Sequence, residues 1–114
     1  MGISAFPIWE LMLWSATVNV IARRTLVAFW TRRSEAKSAV SSWYAVVRKA
    51  SWGSFADVKA TFNSADAVGG GKVVFDIGGY NYRLVGLVGY RSKRVYILWV
   101  GTHAEYDKID VAEL

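Results

Sequence analysis

The chain is predicted to be an α+β domain in which an N-terminal strand and helices pack on a small antiparallel sheet of three to four strands. Two observations carry that prediction. Between Arg23 and Phe62 apolar residues recur three and four apart, the rhythm of helices. From Lys72 to Val100 they alternate or run in short β-branched stretches separated by glycine and polar turns, the rhythm of strands. Helices followed by a strand meander is the order of an α+β layout with the helices on one sheet face.

Taken in order, residues 1–17 stand apart. The first nineteen residues carry one charge, Glu10, and all the Lys and Arg lie from Arg23 onward. This run is short for a membrane span and has Glu10 near its middle, and it lacks the positive start of a secretory signal. It is expected to be an appended apolar extension, with the domain comprising residues 18–114 and no membrane partner. Were it translated and left unpacked, its Phe and Trp side chains would form a sticky arm.

Val18 to Ile21 is short and β-branched, and opens the domain as a strand. Leu26, Phe29, Trp30 and Arg33 recur at helical spacing. Ser34 has the character of a helix N-cap, followed by Glu35, whose carboxylate suits a helix start. Ala36, Ala39, Val40, Trp43, Val46, Val47 and Ala50 then form the strongest helical pattern in the chain. Ser54 and Asp57 start a third short helix with Phe55, Val58 and Phe62 on its apolar side. After Gly69-Gly70-Gly71, the alternation Val73, Phe75, Ile77 marks a strand. Gly78-Gly79 turns the chain into a longer strand from Tyr80 to Tyr90, and Arg91-Ser92-Lys93 leads into a strand from Val95 to Val100. The glycine triplet lacks the spacing of a phosphate loop and the lysine–threonine helix start that would follow one.

Composition narrows the function classes. The 114 residues include no cysteine and a single histidine, which excludes disulfides, thiolate zinc sites and multi-histidine metal centres and fits a reducing cytoplasm. Any chemistry is expected to need neither metal nor cofactor. Six Trp, six Tyr and five Phe are ample for one core. A net charge of +5 attracts polyanions, and nucleic acid is the first partner to consider; a merely soluble basic surface would carry the same charge.

Two places could hold chemistry. Gly101-Thr102-His103-Ala104-Glu105-Tyr106-Asp107-Lys108 follows the last strand and is almost wholly polar. If Thr102 caps a helical turn, His103, Tyr106 and Asp107 share one face. Imidazole, phenol and the Lys108 ammonium suit metal-free RNA cleavage, in which one group takes the 2′-hydroxyl proton, another protonates the leaving oxygen, and cations hold the phosphate charge. A plain surface turn with Tyr106 closing the core fits the same pattern. The second place is Arg83, a charge in mid-strand that needs a partner or a ligand, and whose guanidinium can grip a phosphate bidentately. Arg48, Lys49, Lys59 and Lys72 are candidate RNA-binding cations, with plain surface charge as the first reading of each. Trp43 reads as core before it reads as a base-stacking residue. Asp107, Asp110 and Glu113 lack the rhythm of a calcium loop and are expected to be solvated.

At these residues the chain resembles the HigB toxin family within the RelE-like ribonuclease toxins. The segments that carry the resemblance are Val20 through Leu26, Ser42-Trp43-Tyr44, Trp52 through Lys59, Val73 through Ile77, Asn81 through Val85, Val95-Tyr96-Ile97, and Val100 through Ile109 with its T-H-x-E-Y-D run. They span Val18 to the C-terminus in one register. The resemblance implies a RelE-like fold and a cytoplasmic toxin that cleaves mRNA, often on the translating ribosome. It also implies a HigA-like helix-turn-helix antitoxin, with operator DNA bound only through the toxin–antitoxin complex. It further implies that Arg83 and Lys108 stabilise phosphate charge while His103 and Tyr106 move protons. Two departures stand out. Members often carry arginine near the end of the last strand, where this chain has Leu98. Gly86, Leu87 and Gly89 stand where larger or basic side chains are common. A non-catalytic RNA- or ribosome-binding module and a basic protein anchored through residues 1–17 are the alternative classes.

Overall fold

The computed structural model describes residues 17–114. The apolar extension therefore lies outside the described residues, apart from Thr17. In chain order the elements are β1 (Asn19–Ile21), α1 (Arg23–Arg32), a 3₁₀ turn (Ser34–Ala36), α2 (Lys37–Lys49), α3 (Phe55–Thr61), β2 (Asp66–Ala67), β3 (Lys72–Ile77), β4 (Tyr82–Gly89), β5 (Arg94–Thr102), α4 (His103–Tyr106) and a final 3₁₀ turn (Val111–Glu113). The sheet order is β1-β5-β4-β3-β2.

The α+β layout is as expected, but the sheet has five strands rather than three or four, and it is mixed. β1 pairs with β5 in parallel, whereas the other pairs are antiparallel. The extra strand, Asp66–Ala67, has no apolar alternation to announce it. It exists because Gly69, Gly70 and Gly71, all at positive φ, fold the chain back onto Val73 and Val74.

Two local expectations also change. Ser34 starts a 3₁₀ turn and makes no side-chain cap; Glu35 pairs with Arg33 at 3.6 Å, and α2 begins only at Lys37. The β3–β4 turn consumes Gly78 through Asn81, with both glycines at positive φ, so β4 begins at Tyr82 and not at Tyr80.

The helices cover one sheet face. Leu26 and Phe29 of α1, Val40, Trp43 and Val47 of α2, and Val58 of α3 are buried against Phe75, Leu84, Val95 and Val100. Trp43, Trp52, Phe62 and Phe75 form the aromatic centre, with ring centroids 5.2–6.4 Å apart. Such contacts add to the area term of burial.

Strand alternation and register put Lys72, Val74 and Asp76 of β3 with Arg83, Val85 and Leu87 of β4 and Trp99 and Gly101 of β5 on the other face. The chain after β5 returns to this face: the Tyr106 ring meets Arg83, and Lys72 Nζ donates to the carbonyls of Val111 at 3.0 Å and Ala112 at 3.3 Å. Opposite Val85–Gly86 the β5 register slips by one, leaving Leu98 as an unpaired bulge residue.

Candidate functional site

Arg83 stands opposite Asp76 across the β3–β4 hairpin. Its Nε lies 2.9 Å from Asp76 Oδ1, and the side chains are only 23% and 12% exposed. The Nε–H does not point along that vector, so the contact is a close ion pair without an aligned hydrogen bond. Among the described residues Arg83 has no other polar contact, so Nη1 and Nη2 keep their donors for a ligand. An acid so placed explains how a strand can hold a half-buried guanidinium.

The C-terminal turn supplies the next wall. Thr102 caps α4 with a full capping box: its Oγ1 accepts from Glu105 N at 3.1 Å, while Glu105 Oε1 accepts from Thr102 N at 2.9 Å. The turn is also tied to the hairpin, because His103 N donates to the Asn81 carbonyl at 3.0 Å. The backbone N–H of Thr102, helped by Arg32 at 3.4 Å, holds the Glu105 carboxyl below its ordinary range. This anchoring aims Tyr106 back at the sheet. Its ring lies 4.8 Å from the Arg83 guanidinium carbon and 5.9 Å from the Trp99 ring. Gly101, opposite Arg83, leaves the room: a Cβ there would stand 2.5 Å from Trp99 Cη2 and 2.9 Å from Glu105 Oε1.

His103 turns to Asp107, Nε2 to Oδ1 at 3.8 Å, with both side chains well exposed. Lys108 is exposed on the same turn. Arg83 and Tyr106 are thus in contact, and His103 and Lys108 lie on the same short segment as Tyr106. The cations named for RNA binding do not gather there. Arg48 and Lys49 are exposed on α2, in the helix layer. Lys59 gives its Nζ to the Ala65 carbonyl at 2.9 Å, and Lys72 sits on the C-terminal carbonyls. Asp107 and Asp110 serve local structure, Asp107 beside His103 and Asp110 as acceptor for Ala112 N at 3.0 Å. Among the described residues no three His, Asp or Glu side chains gather in a way that could hold a metal.

Asp76, Trp99, Glu105 and Arg32 were not singled out from sequence. For Asp76 a signal existed: pairing Ile77 with Tyr82 across the glycine turn places Asp76 opposite Arg83. Glu105 was recoverable as the third residue after Thr102, the capping-box spacing. Arg32 bears on the departure at Leu98. Thr25, Ala28, Phe29, Arg32, Leu98, Trp99 and Val100 line one groove beside the site, so a cation from α1 stands in the neighbourhood where the last strand lacks one.

A family model described as HigB_toxin, the RelE-like toxic component of a toxin–antitoxin system, matches residues 36–109. That span holds Asp76, Arg83, Trp99, His103, Tyr106 and Lys108. No curated protein matches the chain.

Proposed function

Because the chain belongs to the HigB toxin family, the RelE-like toxic components of toxin–antitoxin systems, we propose that it kills or arrests growth as an endoribonuclease cutting mRNA at the Arg83–Tyr106 face. The observation that carries the reading is the stacking of Tyr106 over a guanidinium whose terminal nitrogens have no partner among the described residues. Arg83 would grip a non-bridging phosphate oxygen, and Lys108 would add charge from the flank. The ribose 2′-oxygen attacks phosphorus and the bond to the 5′-oxygen breaks, leaving a cyclic phosphate and a 5′-hydroxyl. Tyr106 and His103 provide the two proton positions this exchange needs, one taking the 2′-hydroxyl proton and one giving a proton to the leaving oxygen. Trp99 offers a ring on which a flanking base could stack.

A toxin–antitoxin membership carries an antitoxin partner with it. The finer reading is a HigA-like helix-turn-helix protein, through which alone the toxin meets operator DNA, and a cytoplasmic site of action on mRNA at the ribosome. Leu98 favours one other reading, a decayed toxin that binds RNA without cutting it.

Both are tested by inducing the chain and its Arg83→Ala and Tyr106→Ala variants in cells, with RNA from each mapped for new ends. Growth arrest with new 5′-hydroxyl ends, lost in both folded variants, is the expected outcome. Arrest that persists in both, with the same ends, removes the site; RNA bound by the parent chain with no new ends favours the decayed toxin.

A further inference from the structure

A basic groove lies away from the Arg83 face. A groove of about 480 Å³ opens where β1, α2 and the β4–β5 turn meet, lined by Val18, Asn19, Tyr44, Arg48, Lys93 and Arg94 among others. That volume falls within the roughly 300–1,000 Å³ typical of ligand sites. No acid lines it. The ion pairs of the described residues join Arg32 to Glu105, Arg33 to Glu35, Arg83 to Asp76 and His103 to Asp107, so none neutralises Arg48, Lys93 or Arg94. Arg23 adds a fourth cation at the rim. Its guanidinium carbon lies 5.4 Å from the Tyr44 ring centre, and that of Arg48 lies 5.6 Å from it.

The groove is also rigidly built. Asn19 N donates to the Lys93 carbonyl at 2.8 Å, Val18 N to the Ala50 carbonyl at 3.0 Å, and Lys93 Nζ to the Trp52 carbonyl at 3.0 Å. Lys93 is held at φ +58°, the single non-glycine residue at positive φ among the described residues. Strain of this kind persists only where surrounding contacts over-determine it. Gathering unneutralised cations around a concave surface is electrostatically costly unless an anion completes it.

We infer that this groove binds phosphates of a single-stranded RNA backbone, with Arg48 and Arg94 as the phosphate-gripping side chains and Tyr44 as the surface that orients Arg48. Arg94 is seven residues along β5 from Gly101, which pairs with Arg83. At about 3.3 Å per residue the groove is roughly 23 Å from the Arg83 face, so the RNA it holds lies several nucleotides from any phosphate at Arg83. The inference concerns binding alone and stands whether or not the chain cuts RNA.

The test uses the full chain and a 2′-O-methyl RNA of about 12 nucleotides, which offers no 2′-hydroxyl nucleophile, titrated by fluorescence anisotropy from about 50 to 200 mM salt. Arg48→Ala and Arg94→Ala are each compared with Arg33→Ala, which removes an arginine already paired with Glu35. Arg94 is exposed and outside the core, so its variant keeps the test valid if Arg48→Ala fails to fold. Each groove variant is expected to weaken binding several-fold and to flatten the slope of log K against log salt by about 0.7, the share of one single-strand phosphate contact. Arg33→Ala should leave the slope as it was. An unchanged slope and affinity in folded Arg94→Ala overturns the inference. So does a loss confined to poly-glutamate binding, which would mark a protein-docking surface instead.

Discussion

The guanidinium of Arg83 and the ring of Tyr106 face each other at 4.8 Å, one from the middle of β4 and the other from the last helical turn. Asp76 approaches the same guanidinium from the neighbouring strand at 2.9 Å. A strand cation is therefore held at its Nε and covered by an aromatic ring while its terminal nitrogens stay available. That arrangement suits a group which must receive a phosphate without leaving the sheet.

Arg83→Ala should lower RNA cleavage by about 10²–10³-fold, the usual effect of removing a group that stabilises developing charge. Asp76→Asn should lower it less, by about tenfold, because the guanidinium stays but loses its anchor. A kinetic series with both variants checks this, and equal loss in the two would show that Asp76 does more than position Arg83.

Tyr106→Phe separates the ring from its hydroxyl. The cation–π contact survives, so thermal stability should stay near that of the parent chain while cleavage falls if the phenol moves a proton. Tyr106→Ala should lower both. Full activity in Tyr106→Phe would leave His103 as the group to pursue.

Gly101→Ala should disturb the site without touching a charged residue. The new methyl would press on the Trp99 ring and on the carboxylate that caps α4. A loss of about 1–3 kcal/mol in urea unfolding is expected, with altered tryptophan fluorescence. An unchanged unfolding midpoint would mean that Trp99 is free to move aside.

Glu105 makes the C-terminal turn sensitive to acid. The Thr102 N–H, and after it Arg32, lower its pKa on folding. Its contribution is thus fully present above the ordinary glutamate range and is lost as pH falls through the lowered folded value. Melting temperature followed from neutral pH into the acid range should drop more steeply for the parent chain than for Glu105→Gln. Parallel curves would mean that the cap is not coupled to folding.

Two buried tryptophans should respond differently. Trp52 donates from Nε1 to Thr61 Oγ1 at 3.0 Å, whereas Trp43 Nε1 is buried with no partner among the described residues. Trp52→Phe loses that bond, although the Thr61 hydroxyl keeps its own bond to the Asp57 carbonyl; Trp43→Phe removes an unsatisfied donor. Denaturant titration should find Trp52→Phe the more costly, by about 1 kcal/mol.

Periodicity alone was enough to find the three main helices and three of the strands, because burial of one face leaves its spacing in the residues that make that face. The Thr102 cap was legible for a similar reason, since its bonds span only a few residues. β2 was not legible: two polar or small residues carry no pattern, and only the glycine fold-back makes them a strand. The parallel pairing of β1 with β5 was equally silent, as it joins segments separated by nearly the whole domain.

For the site, the sequence by itself determined which residues have usable chemistry: one histidine, a phenol and a lysine in one turn, and an arginine in a strand. Only the tertiary structure decided that Tyr106 meets Arg83, that Asp76 anchors it, and that Arg48 belongs instead to a separate basic groove. The physical reason is that side-chain type and local spacing are properties of neighbouring residues. Convergence depends on strand register and on the path of the chain after β5, which are set by the packing of the whole core.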